Sequence, residues 1–263
     1  MKFSTQYKNG NSLSCAEYGD ARGYPILVQH GMIASIEDYH LFDRLIESDT
    51  RLVCVARPGY GGSSPYAMRN LAEWGEIIAS LVDELELAQF DVLGMSSGAP
   101  YGYAIARRLP ERVRAVFIFS GTPALYDERV QALWPYPLDR QAGLPGLQKL
   151  ASEIFFSNLS PGDLQRNDIR DSMMYNCFGI ALDLQLRCRD WGFDLSEVKA
   201  RVYMQHGLQD DQVPVRTAEI TAQLLPDCSL EIRNEGGHFT AELLDDFIQE
   251  TMLKHLPPRQ EGK

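Results

Sequence analysis

The pattern in this chain most able to do chemistry is a serine framed by glycines, Gly94-Met95-Ser96-Ser97-Gly98. The run before it, Phe90-Asp91-Val92-Leu93, reads as a buried strand. The stretch after it, Ala99 to Leu109, reads as a helix stopped by Pro110. A serine at a sharp strand-to-helix turn has strained backbone geometry, and its flanking positions must be small because neighbouring backbone passes close by. Such a turn lifts the hydroxyl out of the sheet, and the free N–H groups of the helix N-terminus point toward whatever that hydroxyl attacks. The chemistry implied is nucleophilic attack by Ser96. Ser97 is chemically competent too, but only Ser96 has the glycine frame on both sides.

A nucleophilic serine needs a base, and the base needs a group to orient it. Downstream, Val202-Tyr203-Met204-Gln205 reads as a buried strand running into His206-Gly207-Leu208-Gln209-Asp210-Asp211-Gln212-Val213-Pro214. An acid in the loop just past a parallel strand lies at the same sheet edge as the serine turn. Leu230-Glu231-Ile232-Arg233 is a further strand, followed by Asn234-Glu235-Gly236-Gly237-His238-Phe239, whose glycines let the loop turn tightly and present His238 at that edge. His30 and His206 both end strands, where a histidine more often orients a loop than acts as a base. His40 falls in a presumed helix and is expected to be exposed.

Strand patterns alternate with helical ones, which is how a parallel sheet covered on both faces reads. In the clearest helix, starting at Asn70, residues Leu71, Trp74, Ile77, Ile78, Leu81, Val82 and Leu85 recur on one face, with Asn70 and Glu73 as a capping box. Val113 to Phe119 is another strand. A last helix runs from Thr240 to about Leu256, leaving Pro257 to Lys263 frayed. Between Thr122 and Phe193 the rhythm breaks: prolines cluster, with helical stretches around Gln148 to Phe156 and Arg170 to Asp190.

Composition bounds the function. The 263 residues are 44% hydrophobic and 23% charged, enough for one large core in a soluble domain. A net charge of -11 argues against nucleic-acid partners and against anionic membranes, both of which need a basic face. The five cysteines, Cys15, Cys54, Cys177, Cys188 and Cys228, form no CxxC pair, and Cys54 reads as a small buried hydrophobe. The chain starts without an apolar signal core, so a cytoplasmic location is expected. No metal or organic cofactor is expected either.

Taken together, the motifs resemble the α/β-hydrolase fold family over nearly the whole chain. The hairpin from Phe3 to Tyr18, turning at Asn9-Gly10, is similar to that family's first two strands. Ile26-Leu27-Val28-Gln29-His30-Gly31 resembles its strand ending in a His-Gly pair, and Arg57-Pro58-Gly59-Tyr60-Gly61-Gly62-Ser63 its next loop. The order Ser, Asp, His along the chain is also the family's. Relatives often carry Met, Gln or Gly after the nucleophile, but only the backbone N–H of Ser97 is needed there.

This resemblance implies an α/β fold with a mostly parallel central sheet, helices on both faces and a helical cap inserted after the sixth strand. The core would be residues 1–121 and 194–263, and the cap 122–193. It implies Ser96 as nucleophile, His238 as base and Asp210 as the orienting acid. Asp210 is preferred over Asp211 because it fits the family's Gly-x-x-Asp-x-x-Val-Pro pattern through Gly207, Val213 and Pro214. The oxyanion hole would be the backbone N–H groups of Ser97 and Met32, with Ile33 the alternative to Met32. Cap aromatics are either packing anchors or the lining of an acyl pocket, and Trp134, Tyr175 and Phe178 are the candidates for binding substrate.

A serine at this turn sets the chain apart from dehalogenases and epoxide hydrolases of the same fold, which use aspartate. What remains is acyl transfer or carbon–carbon hydrolysis of a diketone. The leading expectation, by analogy, is hydrolysis of a small to medium, largely neutral carboxylic ester by a monomer or homodimer. A peptidase of the proline-iminopeptidase type would need cap acids such as Asp139 and Glu153 to grip an amine. A small-molecule receptor on the same fold is a further alternative, although such proteins often lose a triad member.

Overall fold

The computed structural model describes residues 1–257. Strands β1 (Lys2–Tyr7) and β2 (Asn11–Gly19) form the expected hairpin, with Asn9 and Gly10 at positive φ (59° and 78°) in the connecting loop. Six further strands follow: β3 (Tyr24–Gln29), β4 (Thr50–Val55), β5 (Phe90–Met95), β6 (Val113–Phe119), β7 (Arg201–Gly207) and β8 (Cys228–Arg233). They make one sheet in the order β1-β2-β4-β3-β5-β6-β7-β8, parallel from β4 to β8, with β1 and β2 antiparallel at one edge. The order reverses at β3, which pairs with β4 on one side and β5 on the other. In such sheets the crevice beyond the carboxyl ends of the strands at the reversal is where ligands bind.

Side chains alternate between two cores. Leu27, Val53, Val92 and Val116 face one cluster, while Ile26, Leu52, Leu93 and Phe117 face the other. The first is covered by α2 (Ala72–Glu84) and α3 (Ala99–Arg108), the second in part by α1 (Asp43–Ile46), α8 (Ala241–Phe247) and a π-helical turn (Ile248–Met252) leading into α9 (Leu253–His255). On α2, Trp74, Ile77, Ile78, Leu81 and Val82 are all buried, each contributing about 1.5–3 kcal/mol. Trp74 Nε1 also donates to Gln29 Oε1 at 2.8 Å, fixing α2 over β3. The capping box forms by half: Glu73 N–H donates to Asn70 Oδ1, but the Glu73 carboxylate turns to Lys8, Tyr66 and the backbone N–H of Arg69.

Between β6 and β7 lie α4 (Glu128–Gln131), α5 (Leu144–Phe155) and α6 (Asn167–Arg187), followed after β7 by α7 (Val215–Leu224). The continuous helix expected from Arg170 is interrupted. Met174 is extended (φ −53°, ψ 146°), and Tyr175, Asn176 and Cys177 are left-handed, with φ of 50°, 56° and 60°. Left-handed non-glycine residues are costly, and Gln148 Nε2 supports this turn by donating to the carbonyls of Tyr175 and Asn176. The frayed tail expected after Pro257 falls outside the described residues.

Candidate active site

Ser96 sits where β5 ends and a single 3-10 turn, Ser96–Gly98, leads into α3. Its φ of 48° is left-handed, the strain expected of this turn. Thr122 N–H donates to the Ser96 carbonyl at 2.9 Å, tying the strained residue to the loop after β6. A Cβ on Gly98 would run into the carbonyl of Gln29, and one on Gly94 would lie 3.1 Å from Ala99 Cα. The glycine frame is therefore a requirement of close backbone approach.

Ser96 Oγ lies 2.8 Å from His238 Nε2, and His238 Nδ1 lies 2.8 Å from Asp210 Oδ2. Since a carboxylate only accepts, the imidazole carries its proton on Nδ1 and offers a bare Nε2 to the serine. Asp210 is buried and receives more than this one bond. Oδ1 accepts from the backbone N–H groups of Gln212 (2.9 Å) and Val213 (2.8 Å), while Oδ2 also lies 3.1 Å from His206 Nε2. Burial alone would raise the carboxyl's pKa, but the hydrogen bonds from His206, His238 and Val213 outweigh it and hold the group well below the ordinary carboxylate range. Asp211, next along the chain, is exposed.

Beneath the serine lies a polar cluster that sequence reasoning missed. Arg57 and Asp183 are both buried and pair at 2.6 Å. The same carboxylate accepts from Tyr101 (2.6 Å), Tyr60 (2.8 Å) and Ser97 Oγ (3.2 Å). Burial would lower the Arg57 pKa, but Asp183 outweighs it and holds the guanidinium above its ordinary range. Arg57 also donates to the carbonyls of His30 and Gly31, fixing the loop after β3 beside the serine turn. His30 is neutral there, with burial and Arg57 pulling its pKa well below the usual histidine value. Arg57 was visible in the Arg-Pro-Gly-Tyr-Gly motif; its partner, 126 residues on, had no such signal.

Ser96 and His238 open onto a cavity of about 1270 Å³. Met32, Ile36, Phe42, Ile154, Phe155 and Val213 give it a largely apolar wall, and Trp134, Tyr136, Leu184 and Arg187 come to it from the segment between β6 and β7.

Residues 26–249 match the model of the Alpha/beta hydrolase family. The chain belongs to that family. Among curated relatives, it is 25% identical over 232 residues to a pimeloyl-[acyl-carrier protein] methyl ester esterase of Aromatoleum aromaticum, covering 81% of this chain and 90% of the relative. It is 23% identical over 252 residues to a 2-hydroxymuconate semialdehyde hydrolase of a Pseudomonas strain, covering 87% and 88%. Among solved structures, an esterase from Exiguobacterium antarcticum superposes with a TM-score of 0.73 at 22% identity, covering 97% of this chain and 99% of that one. The last likeness is one of fold.

Within this alpha/beta hydrolase the expected site residues divide. Ser96, His238 and Asp210 meet at one sheet edge. Met32 lines the cavity, and a Cβ on the preceding Gly31 would lie 3.8 Å from Ser96 Cβ, so the loop runs beside the serine. Ser97 sends its side chain away from the cavity, into the Arg57–Asp183 cluster. Trp134 lines the cavity; Tyr175 and Phe178 do not. Tyr175 is exposed on the left-handed turn, and Phe178 packs against Gly59, where it serves as an anchor between α6 and the core. His40 is exposed as expected, yet it lies on the cavity wall.

Proposed function

We propose that this protein is a serine hydrolase that cleaves a small to medium carboxylic ester or related acyl compound. The observation that carries this reading is the unbroken chain of contacts from Ser96 Oγ through His238 to Asp210, with Ser96 and His238 on the wall of a largely apolar cavity. Ser96 Oγ attacks the acyl carbonyl as His238 Nε2 takes its proton, and the imidazolium then gives that proton to the departing alkoxide as the carbon–oxygen bond breaks. Water attacks the acyl-enzyme in the same way, its proton passing through His238 back to Ser96. Asp210 holds the imidazole tautomer and stabilises its charged form. The backbone N–H groups of Ser97 and Met32 hold the oxyanion, each contributing about 3 kcal/mol in the transition state. Residues 122–193 act as the cap, with Trp134 against the substrate.

A fluorophosphonate tests this directly. The protein should be labelled and should turn over short acyl esters of p-nitrophenol, with both lost in Ser96→Ala. Labelling that survives Ser96→Ala but not Ser97→Ala would refute the assignment. The relation to a 2-hydroxymuconate semialdehyde hydrolase favours carbon–carbon hydrolysis as the second reading. It predicts turnover of a vinylogous diketone with no turnover of esters.

A further inference from the structure

Among the described residues, the cavity holds one arginine with no ion-pair partner. Arg187, at the end of α6, lines the cavity that Ser96 and His238 open onto. Among the described residues no carboxylate pairs with its guanidinium, and its Nε is buried without a hydrogen-bond partner. Its close neighbour is Trp134, whose ring centroid lies 5.4 Å from the guanidinium carbon. The indole Nε1 of Trp134 is likewise buried and unpartnered, and Trp134 lines the same cavity. Two adjacent unmet N–H donors are unusual, because buried polar groups almost always find a partner.

The nearby carboxylates are committed elsewhere. Asp183, one turn earlier on α6, is taken up by Arg57, Tyr60, Tyr101 and Ser97. On the cavity wall, Asp168 pairs with Arg166, and Asp38 accepts from the backbone N–H of Ser35. Burial pulls the Arg187 pKa below the ordinary guanidinium value, and the charge of Asp183, beyond ion-pair distance, offsets it only in part.

We propose that Arg187 and Trp134 form an anion subsite within the substrate cavity, so that the acyl compound processed at Ser96 carries one carboxylate remote from its scissile carbonyl. A planar guanidinium suits a planar carboxylate, and the neighbouring indole adds one neutral donor. One cation in a chain of net charge -11 fits a monoanion better than a phosphate dianion. The proposal departs from the expectation of a largely neutral substrate: the compound would be apolar along its length and charged at one end. The inference rests on the acyl-transfer reading for its chemistry, but not for the subsite itself.

Two ester series test it. On the acyl side, p-nitrophenyl hydrogen adipate and suberate are compared with their methyl-capped neutral counterparts. On the alcohol side, 4-carboxybutyl butyrate is compared with pentyl butyrate. The wild type should prefer the charged member of one series. In Arg187→Met the ratio of kcat/KM for charged over neutral should fall about 10- to 100-fold, chiefly through KM, with Arg187→Lys restoring part of it and Trp134→Phe giving a smaller fall. A wild-type ratio near one in both series, or a ratio that Arg187→Met leaves in place in a variant with wild-type circular dichroism, would overturn the subsite. Binding of monomethyl adipate to the Ser96→Ala protein, measured by calorimetry with and without Arg187→Met, separates the two readings. Arg187-dependent binding without any ester turnover refutes acyl transfer and keeps the subsite. Ester turnover with Arg187-independent binding does the reverse.

Discussion

In the proposed mechanism, Asp210 is where the chemistry depends most on a single atom. Oδ2 serves two imidazoles, His238 at 2.8 Å and His206 at 3.1 Å, while Oδ1 is held by two backbone N–H groups. Asp210→Asn keeps the shape but can turn an amide donor toward His238 Nδ1, favouring the wrong tautomer. We expect kcat to fall by about four orders of magnitude, as for other triad acids. Asp211→Asn, at an exposed position, should have a mild effect; equal small losses from both variants in steady-state kinetics would exclude Asp210 as the orienting acid. Placing this acid from sequence was possible because a strand, a glycine and a Val-Pro pair bracket it. The second histidine on Asp210 was not legible, since His206 reads only as the end of a strand.

At the scale of elements, the Arg57–Asp183 pair joins the loop after β4 to the second half of α6. Removing one partner leaves a buried charge unanswered, so Arg57→Met or Asp183→Leu should each destabilise the fold by about 3–5 kcal/mol. The double variant should be less destabilised than the sum, because no lone charge then remains. Denaturant melts of the three proteins form the double-mutant cycle that checks this. Central strands were legible to within one or two residues because their buried runs are apolar on both faces. The break in α6 was not: Tyr175-Asn176-Cys177 carries no glycine or proline to announce a left-handed turn. Tyr175 and Phe178 were candidates on aromatic character alone, which does not tell a packing anchor from a cavity wall.

Across the whole molecule, two buried carboxylates give stability opposite slopes with pH. Burial would raise the Glu73 pKa, but the Arg69 backbone, Lys8 and Tyr66 hold it at about 2. A depressed carboxyl stabilises the fold above its unfolded pKa of about 4.3, and that contribution is lost as pH falls toward 2. Asp91 runs the other way: burial pushes it up to about 6, with Arg114 only partly offsetting. The folded state then binds the proton more tightly, so stability declines as pH rises from about 4 to 6 and is level above. Denaturant midpoints between pH 2 and 7 should lose part of their acid-side decline in Glu73→Gln and the decline from pH 4 to 6 in Asp91→Asn. Unchanged slopes in either variant would mean that its carboxyl does not titrate as placed here.

The strand order also has a consequence in time. Ribosomes deliver the chain from its N-terminus, and β3, β5 and β6, together with Thr122, which ties the loop after β6 to Ser96, all emerge before residue 123. Asp210 and His238 follow β7 and β8, added at the far edge of the sheet after the intervening helices have been made. In the proposed mechanism, a nascent chain therefore carries its serine turn long before the base that takes that serine's proton. On that reading the hydroxyl waits through most of synthesis for the loop that bears His238.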